Sequence, residues 1–130
     1  MSTLPRLLAV DDDVASAELI VRVAERCGYD GFATSDSRGV TNLVNALQPT
    51  VMAIDITMPN IDAVGLMKLL AEADYRGHIF ICSGREPETL QDVQNQGRNL
   101  GLSIPFVIQK PVDFAALRKI LRAEDLKAVA

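Results

Sequence analysis

Four short apolar runs in this chain of 130 residues each end in a group that could do chemistry. Asp11-Asp12 follows Leu7-Leu8-Ala9-Val10, Asp55 follows Val51-Met52-Ala53-Ile54, Ser83 follows Ile79-Phe80-Ile81-Cys82, and Lys110 follows Val107-Ile108-Gln109. Taken singly these are weak signals, because an aspartate after a strand is most often a helix cap or turn residue. Together they make a set. Three carboxylates in one pocket repel one another unless a cation intervenes, and oxygen donors with open positions suit a hard, partly hydrated ion such as Mg²⁺. An aspartate can attack phosphorus to form an acyl phosphate. An ammonium, a hydroxyl and a metal would then neutralise charge on the phosphoryl oxygens. Asp12, Asp55, Ser83 and Lys110 supply these parts, provided that the fold brings them together.

The elements that must do so read clearly. Arg6–Val10 is expected as the first buried strand, Tyr29–Thr34 as a weaker second, Val51–Ile54 as the third, His78–Cys82 as the fourth and Ser103–Gln109 as the fifth. Helices are expected between and after them. The first runs from about Val14 to Cys27, with Asp13 as cap, Gly28 as stop and Leu19, Ile20, Val23 and Ala24 inward. The second opens at Ser35-Asp36-Ser37 and turns Val40, Leu43, Val44 and Leu47 to the core before Gln48-Pro49. The third covers about Ala63 to Asp74 with Leu66, Leu69 and Leu70 inward, and the fourth starts near Glu86-Pro87-Glu88 and runs to about Leu100. The fifth follows the cap Asp113 to about Arg122, with Phe114, Leu117, Ile120 and Leu121 on one face.

Five short apolar strands alternating with five helices predict a parallel sheet covered on both sides. Right-handed crossovers favour a doubly wound α/β sheet of order 2-1-3-4-5, with ligands bound at the carboxyl ends of the strands where the order reverses. That point falls between strands one and three, at Asp11-Asp12 and Asp55. One domain is expected over 1–130, with its core at about 6–122. The composition, 48% hydrophobic and 23% charged with net charge −4, is that of a globular protein and carries no basic cluster for nucleic acid or an anionic membrane. No apolar stretch approaches the ~20 residues of a membrane span, and the N-terminus lacks the features of a signal peptide. Cys27 and Cys82 lie in apolar contexts and are expected to be reduced core residues of a cytoplasmic protein.

These residues resemble the receiver domain of two-component response regulators from about Leu7 to Leu121. Leu8-Ala9-Val10-Asp11-Asp12 is similar to the family's acidic pair, and Ile54-Asp55-Ile56-Thr57-Met58-Pro59 to its phosphoacceptor strand and Met-Pro turn. Ser83-Gly84 and Lys110-Pro111 match the hydroxyl-small and Lys-Pro pairs. The resemblance implies a flavodoxin-like (βα)5 receiver fold and a phosphorylation-dependent signalling switch. In that reading Asp55 accepts phosphate from a histidine kinase or phosphotransfer protein, assisted by Lys110, Ser83 and Thr57. Mg²⁺ is held by Asp12, Asp55 and the Thr57 backbone carbonyl, and by Asp11 through water. The Lys110-Pro111 bond is expected to be cis. An output protein or a separate effector domain receives the signal, and a phosphorylation-dependent dimer is a further expected assembly. Direct nucleic-acid or membrane binding is not expected.

Several positions depart from the pattern. Ala63 stands where glycine is usual, and Val107 where many members have Tyr or Phe. Valine has no ring to swing and a stiff χ1, so the response is expected to run through the loop after strand four and the fourth helix. The long segment from Ser83-Gly84-Arg85-Glu86 to Lys110-Pro111 resembles receivers attached to cyclic-di-GMP phosphodiesterase domains. Two other readings compete. A receiver-like interaction module would bind its partner without phosphate. A Mg²⁺-dependent aspartyl-phosphate phosphatase would usually carry a second aspartate where Thr57 stands, which argues against turnover of an external substrate. His78, at the far end of strand four, reads as structural, and Asp36 and Asp113 as caps. Arg85 is expected to overhang the pocket. Gly97 to Gly101 lacks the preceding strand of a dinucleotide loop.

Overall fold

The computed structural model describes residues 4–56, 63–123 and Leu126. Strands β1 (Arg6–Val10), β2 (Asp30–Thr34), β3 (Val51–Ile54), β4 (His78–Ser83) and β5 (Ser103–Gln109) form one parallel sheet of order β2-β1-β3-β4-β5. Helices α1 (Val14–Arg26), α2 (Val40–Leu47), α3 (Ala63–Glu72), α4 (Pro87–Asn99) and α5 (Phe114–Leu121) connect and cover it. The expected doubly wound order is present.

Period-two alternation along the central strands divides the core into two layers. Leu8, Val10, Met52, Ile54, Ile79 and Ile81 face one side and pack with residues of α2, α3 and α4. Leu7, Ala9, Val51, Ala53, Phe80 and Cys82 face the other and pack with α1 and α5. Both faces of β1, β3 and β4 are therefore apolar, which is why these strands read as unbroken apolar runs. Cys27 and Cys82 are free and buried.

Local chemistry sets the element ends. Asp13 accepts from the Ser16 N–H at the start of α1, and Asp113 from the Ala115 and Ala116 N–H groups at the start of α5. Gly28 follows α1 at φ 90, a left-handed conformation that costs glycine nothing. Asp36 caps a single 3-10 turn, Ser37–Gly39, so α2 proper begins at Val40, later than the sequence suggested. Three apolar positions expected inward are instead well exposed: Leu19 at 43%, Leu69 at 51% and Phe114 at 38%. In α1 the buried stripe is Ala17, Ile20 and Ala24, and at 100° per residue Leu19 falls far to its side. In α3 the stripe is Leu66, Met67 and Leu70, which leaves Leu69 on the flank. Phe114 lies on the right stripe of α5, but a turn before Leu117, its first buried position.

Distant parts of the chain are also tied by polar contacts. The buried Tyr29 hydroxyl donates to the Leu121 carbonyl at 2.7 Å, joining the approach to β2 to the end of α5. Leu126, beyond α5, is buried in the same layer. At the opposite end of the sheet from Asp55, His78 Nδ1 lies 2.6 Å from Ser103 Oγ, a structural pairing between β4 and β5.

Candidate functional site

Four adjacent strands deliver the site. β1 ends in Asp11-Asp12, β3 in Asp55, β4 in Ser83 and β5 in Lys110. The ladder continues past the strand ends and fixes their relative heights: the Asp55 N–H donates to Val10 O at 2.9 Å, and the Lys110 N–H to Ser83 O at 2.8 Å. The Asp11 N–H donates to Thr34 O at 3.1 Å, which ties the acidic pair to β2 as well. Each polar side chain is thus placed by backbone bonding that its own apolar strand guarantees.

Asp55 is 4% exposed and Asp11 2% exposed. Two carboxylates so deprived of water need a compensating cation. Lys110 provides it: Nζ donates to Asp11 Oδ2 at 2.7 Å and to Asp55 Oδ2 at 3.0 Å. Burial alone would lower the lysine's affinity for its proton, but bonds to both carboxylates outweigh it and hold the ammonium above its ordinary pKa. Asp11 Oδ1 accepts the Asp13 N–H at 2.9 Å, so its two oxygens are oriented by different partners. Asp12 is exposed at the mouth.

Asp11, Asp12 and Asp55 can each offer an oxygen, all within 4.8 Å of one another. Two of the three are buried, and all are hard donors, which fits a hydrated Mg²⁺ better than zinc. Thr57, expected to add its carbonyl and to flank the phosphoacceptor, lies outside the described residues, as does the Met58-Pro59 turn. The Lys110-Pro111 bond is cis, as expected.

Ser83 is fully buried, and its Oγ accepts the Arg85 N–H at 3.3 Å. That bond uses a lone pair and leaves the hydroxyl proton free to donate toward an incoming oxygen. Arg85 itself is exposed, with its carbonyl accepting from Gln109 Nε2 at 3.3 Å. Val107 is half-buried against the α2–α4 layer and Phe106 against the α1–α5 layer, so the adjacent positions face opposite sides. Cys82 lies one residue from Ser83, and burial pushes its thiol up to about 11 despite the opposing charge of Lys110. That thiol is packing, not a nucleophile.

A doubly wound five-stranded sheet with acidic, hydroxyl and ammonium groups converging on the ends of β1, β3, β4 and β5 defines the class: flavodoxin-like (βα)5 proteins with an aspartate-centred site. A family model for the response regulator receiver domain matches residues 7–122. The chain belongs to the response regulator receiver domain family. It is 28% identical over 126 residues to the DNA-binding dual master transcriptional regulator RpaA of Synechocystis, covering 94% of this chain and 51% of that one. It is 29% identical over 119 residues to the chemotaxis protein CheY of Thermotoga maritima, covering 88% of this chain and 96% of that one. The chain therefore spans about half the length of RpaA and nearly all of CheY. A response regulator from Colwellia psychrerythraea superposes with a TM-score of 0.80 at 24% identity, over 92% of this chain and 94% of that one, a likeness of fold. The chain is a receiver domain of the two-component signalling class. Among the described residues no helix is long and apolar enough to cross a membrane.

Proposed function

We propose that Asp55 is the phosphoacceptor of a phosphorylation-dependent switch served by a histidine kinase or phosphotransfer protein. The observation that carries this reading is the convergence of Lys110 on two buried carboxylates from different strands. A site built only for stability would gain as much from apolar residues. Asp55 lends a carboxylate oxygen to phosphorus as the donor's nitrogen–phosphorus bond breaks, its electron pair staying on the imidazole. Lys110, already within bonding distance of Asp55, follows the charge onto the phosphoryl oxygens, and the Ser83 hydroxyl donates another bond. Mg²⁺, held by Asp11, Asp12, Asp55 and the Thr57 carbonyl, would supply further charge neutralisation at those oxygens. The protein catalyses only its own phosphorylation and dephosphorylation, a reaction in which the family resemblance gives Thr57, two positions after the acceptor in sequence, a part. It works in the cytoplasm as one receiver domain, passing its state to an output protein or a linked effector, or into a dimer. The finer likeness to receivers of cyclic-di-GMP phosphodiesterases rests on the segment from Ser83 to Pro111 alone.

Incubation with acetyl phosphate or phosphoramidate and Mg²⁺ should add one phosphate, labile to hydroxylamine, and Asp55→Asn should abolish it. Modification that persists in Asp55→Asn would move the acceptor elsewhere. Wild-type protein inert to every small donor and to a competent kinase would favour a phosphate-independent interaction module.

A further inference from the structure

Helices α1 and α5 leave a groove between them at the surface. Leu19, Arg22, Val23 and Arg26 of α1 line one wall, Phe114 and Arg118 of α5 the other, and the groove encloses about 260 Å³. The α1 positions recur at i, i+3, i+4 and i+7, which sets them on one ridge, and Phe114 and Arg118 stand one turn apart on α5. Asp11, Asp55 and Lys110 form no part of its walls.

Three guanidiniums thus share one short groove in a chain of net charge −4. Among the described residues none of the three makes an ion pair. Arg38 and Arg76 behave differently: each bonds to an aspartate two positions earlier, at 2.9 Å and 3.1 Å. Acids are not lacking near the groove. Glu18 precedes Arg22 by four residues, the favourable order for a helical ion pair, yet it lines the separate cleft that holds Asp11 and Thr34. Arg22 and Arg26 are also four apart, a like-charge spacing that costs helix stability. Arg118 is half-buried, so its charge is partly stripped of water with no carboxylate in exchange.

Between these cations the groove is apolar. Val23 packs on the core layer beneath, while Leu19 and the Phe114 ring stay open to solvent. Guanidinium forks match phosphate and carboxylate alike, but three cations call for more than one negative charge, which a phosphate monoester carries. An exposed ring is a stacking partner for a flat base. The volume lies just below the roughly 300 Å³ at which ligand pockets begin, so the base fits within and the phosphate stays at the rim. Six lining residues fall far short of the roughly 20–30 that one side of a stable protein interface uses.

We propose that the α1–α5 groove binds a purine mononucleotide, its base against Phe114 and Leu19 and its phosphate held by Arg22, Arg26 and Arg118. The site is separate from the acidic cluster and needs no metal.

Titration with adenosine monophosphate, guanosine monophosphate and pyrophosphate, followed by calorimetry and amide chemical shifts in metal-free buffer, tests this while the carboxylate site stays idle. At least one nucleotide should bind saturably, with shifts confined to 19–26 and 114–118, and the affinity should fall as salt rises. Arg118→Gln should weaken both nucleotide and pyrophosphate about tenfold, and the exposed Arg22→Gln should do so to a lesser degree in a protein whose folding is not at stake. Phe114→Ala should weaken the nucleotide about tenfold and spare pyrophosphate. Asp55→Asn should change neither. No saturable nucleotide binding at millimolar concentration and about 0.15 M salt would overturn the proposal. So would pyrophosphate binding alone, shifts centred on Asp11 and Lys110, or an acidic helical peptide that binds where both nucleotides fail.

Discussion

At the scale of residues, the site is a balance of charge in which Lys110 is the resident cation. Lys110→Met keeps the stem and removes the ammonium, leaving Asp11 and Asp55 buried without it. The variant should lose about 1–3 kcal/mol in urea denaturation without metal. It should regain part of that with Mg²⁺, so its response to the metal exceeds the wild type's. A Lys110→Met protein as stable as wild type in metal-free buffer would show that the carboxylates do not depend on the lysine. The presence of these groups was legible in the sequence, since each ends an apolar run. Their pairing was not. Nothing in the spacing says that Lys110 bonds to Asp11, 99 residues away, as well as to Asp55, 55 residues away, because that depends on the heights of β1, β3 and β5, which the backbone ladder sets.

At the scale of elements, β1 and β5 have the bounds expected from the sequence, because turn chemistry abuts the apolar run at each carboxyl end. Helix faces were less legible. A stripe of about 100° leaves flank positions such as Leu19 and Leu69 undecided until the neighbouring elements are known. Gln94 was hidden for a different reason: a polar residue in a polar helix looks solvated, and only a bulge in β5, signalled faintly by Pro105, gives it a buried acceptor, the Ile104 carbonyl. Close approaches between elements are also invisible in sequence. A Cβ at Gly77 would meet the Tyr75 ring and hydroxyl and would lie 2.7 Å from the Thr50 carbonyl, a backbone atom that cannot step aside. Gly77→Ala should therefore destabilise by about 1–3 kcal/mol in equilibrium denaturation. At α5, Asp113→Ala removes an acceptor shared by two N–H groups and should cost about 0.5–2 kcal/mol, while Asp113→Asn should recover most of it. Equal losses in the two variants would mean that the carboxylate's charge, and not the cap geometry, matters there.

At the scale of the whole molecule, Mg²⁺ should act as a folding ligand. At tenfold its dissociation constant it should add about 1.4 kcal/mol if it binds only the native state, visible as a rise in Tm that Asp12→Ala diminishes. Alkali should act in the opposite sense. Burial pushes Cys82 up to about 11 from 9.0 and Tyr29 to about 12 from 10.0, and raises Tyr75 as well, while bonds to two carboxylates raise Lys110. A group with a raised native pKa contributes stability in full below its unfolded value, and the contribution is lost as pH rises through the native one. Denaturation midpoints should hold up to about pH 9 and then fall steadily through pH 12. A midpoint flat to pH 11 would refute the burial assigned to these groups. The bond from Tyr29 to Leu121 also bears on the order of events in folding. It joins residues 92 apart, so the loop it closes spans most of the chain and includes β3, β4 and β5. A nucleus assembled from β1, α1 and β3 would have to form before α5 arrives to accept the phenol's hydrogen bond. Tyr29→Phe should consequently leave the refolding rate nearly unchanged and speed unfolding by roughly 5- to 30-fold, for a loss of about 1–2 kcal/mol. An unfolding rate unchanged in Tyr29→Phe, with refolding slowed instead, would put this bond inside the folding nucleus.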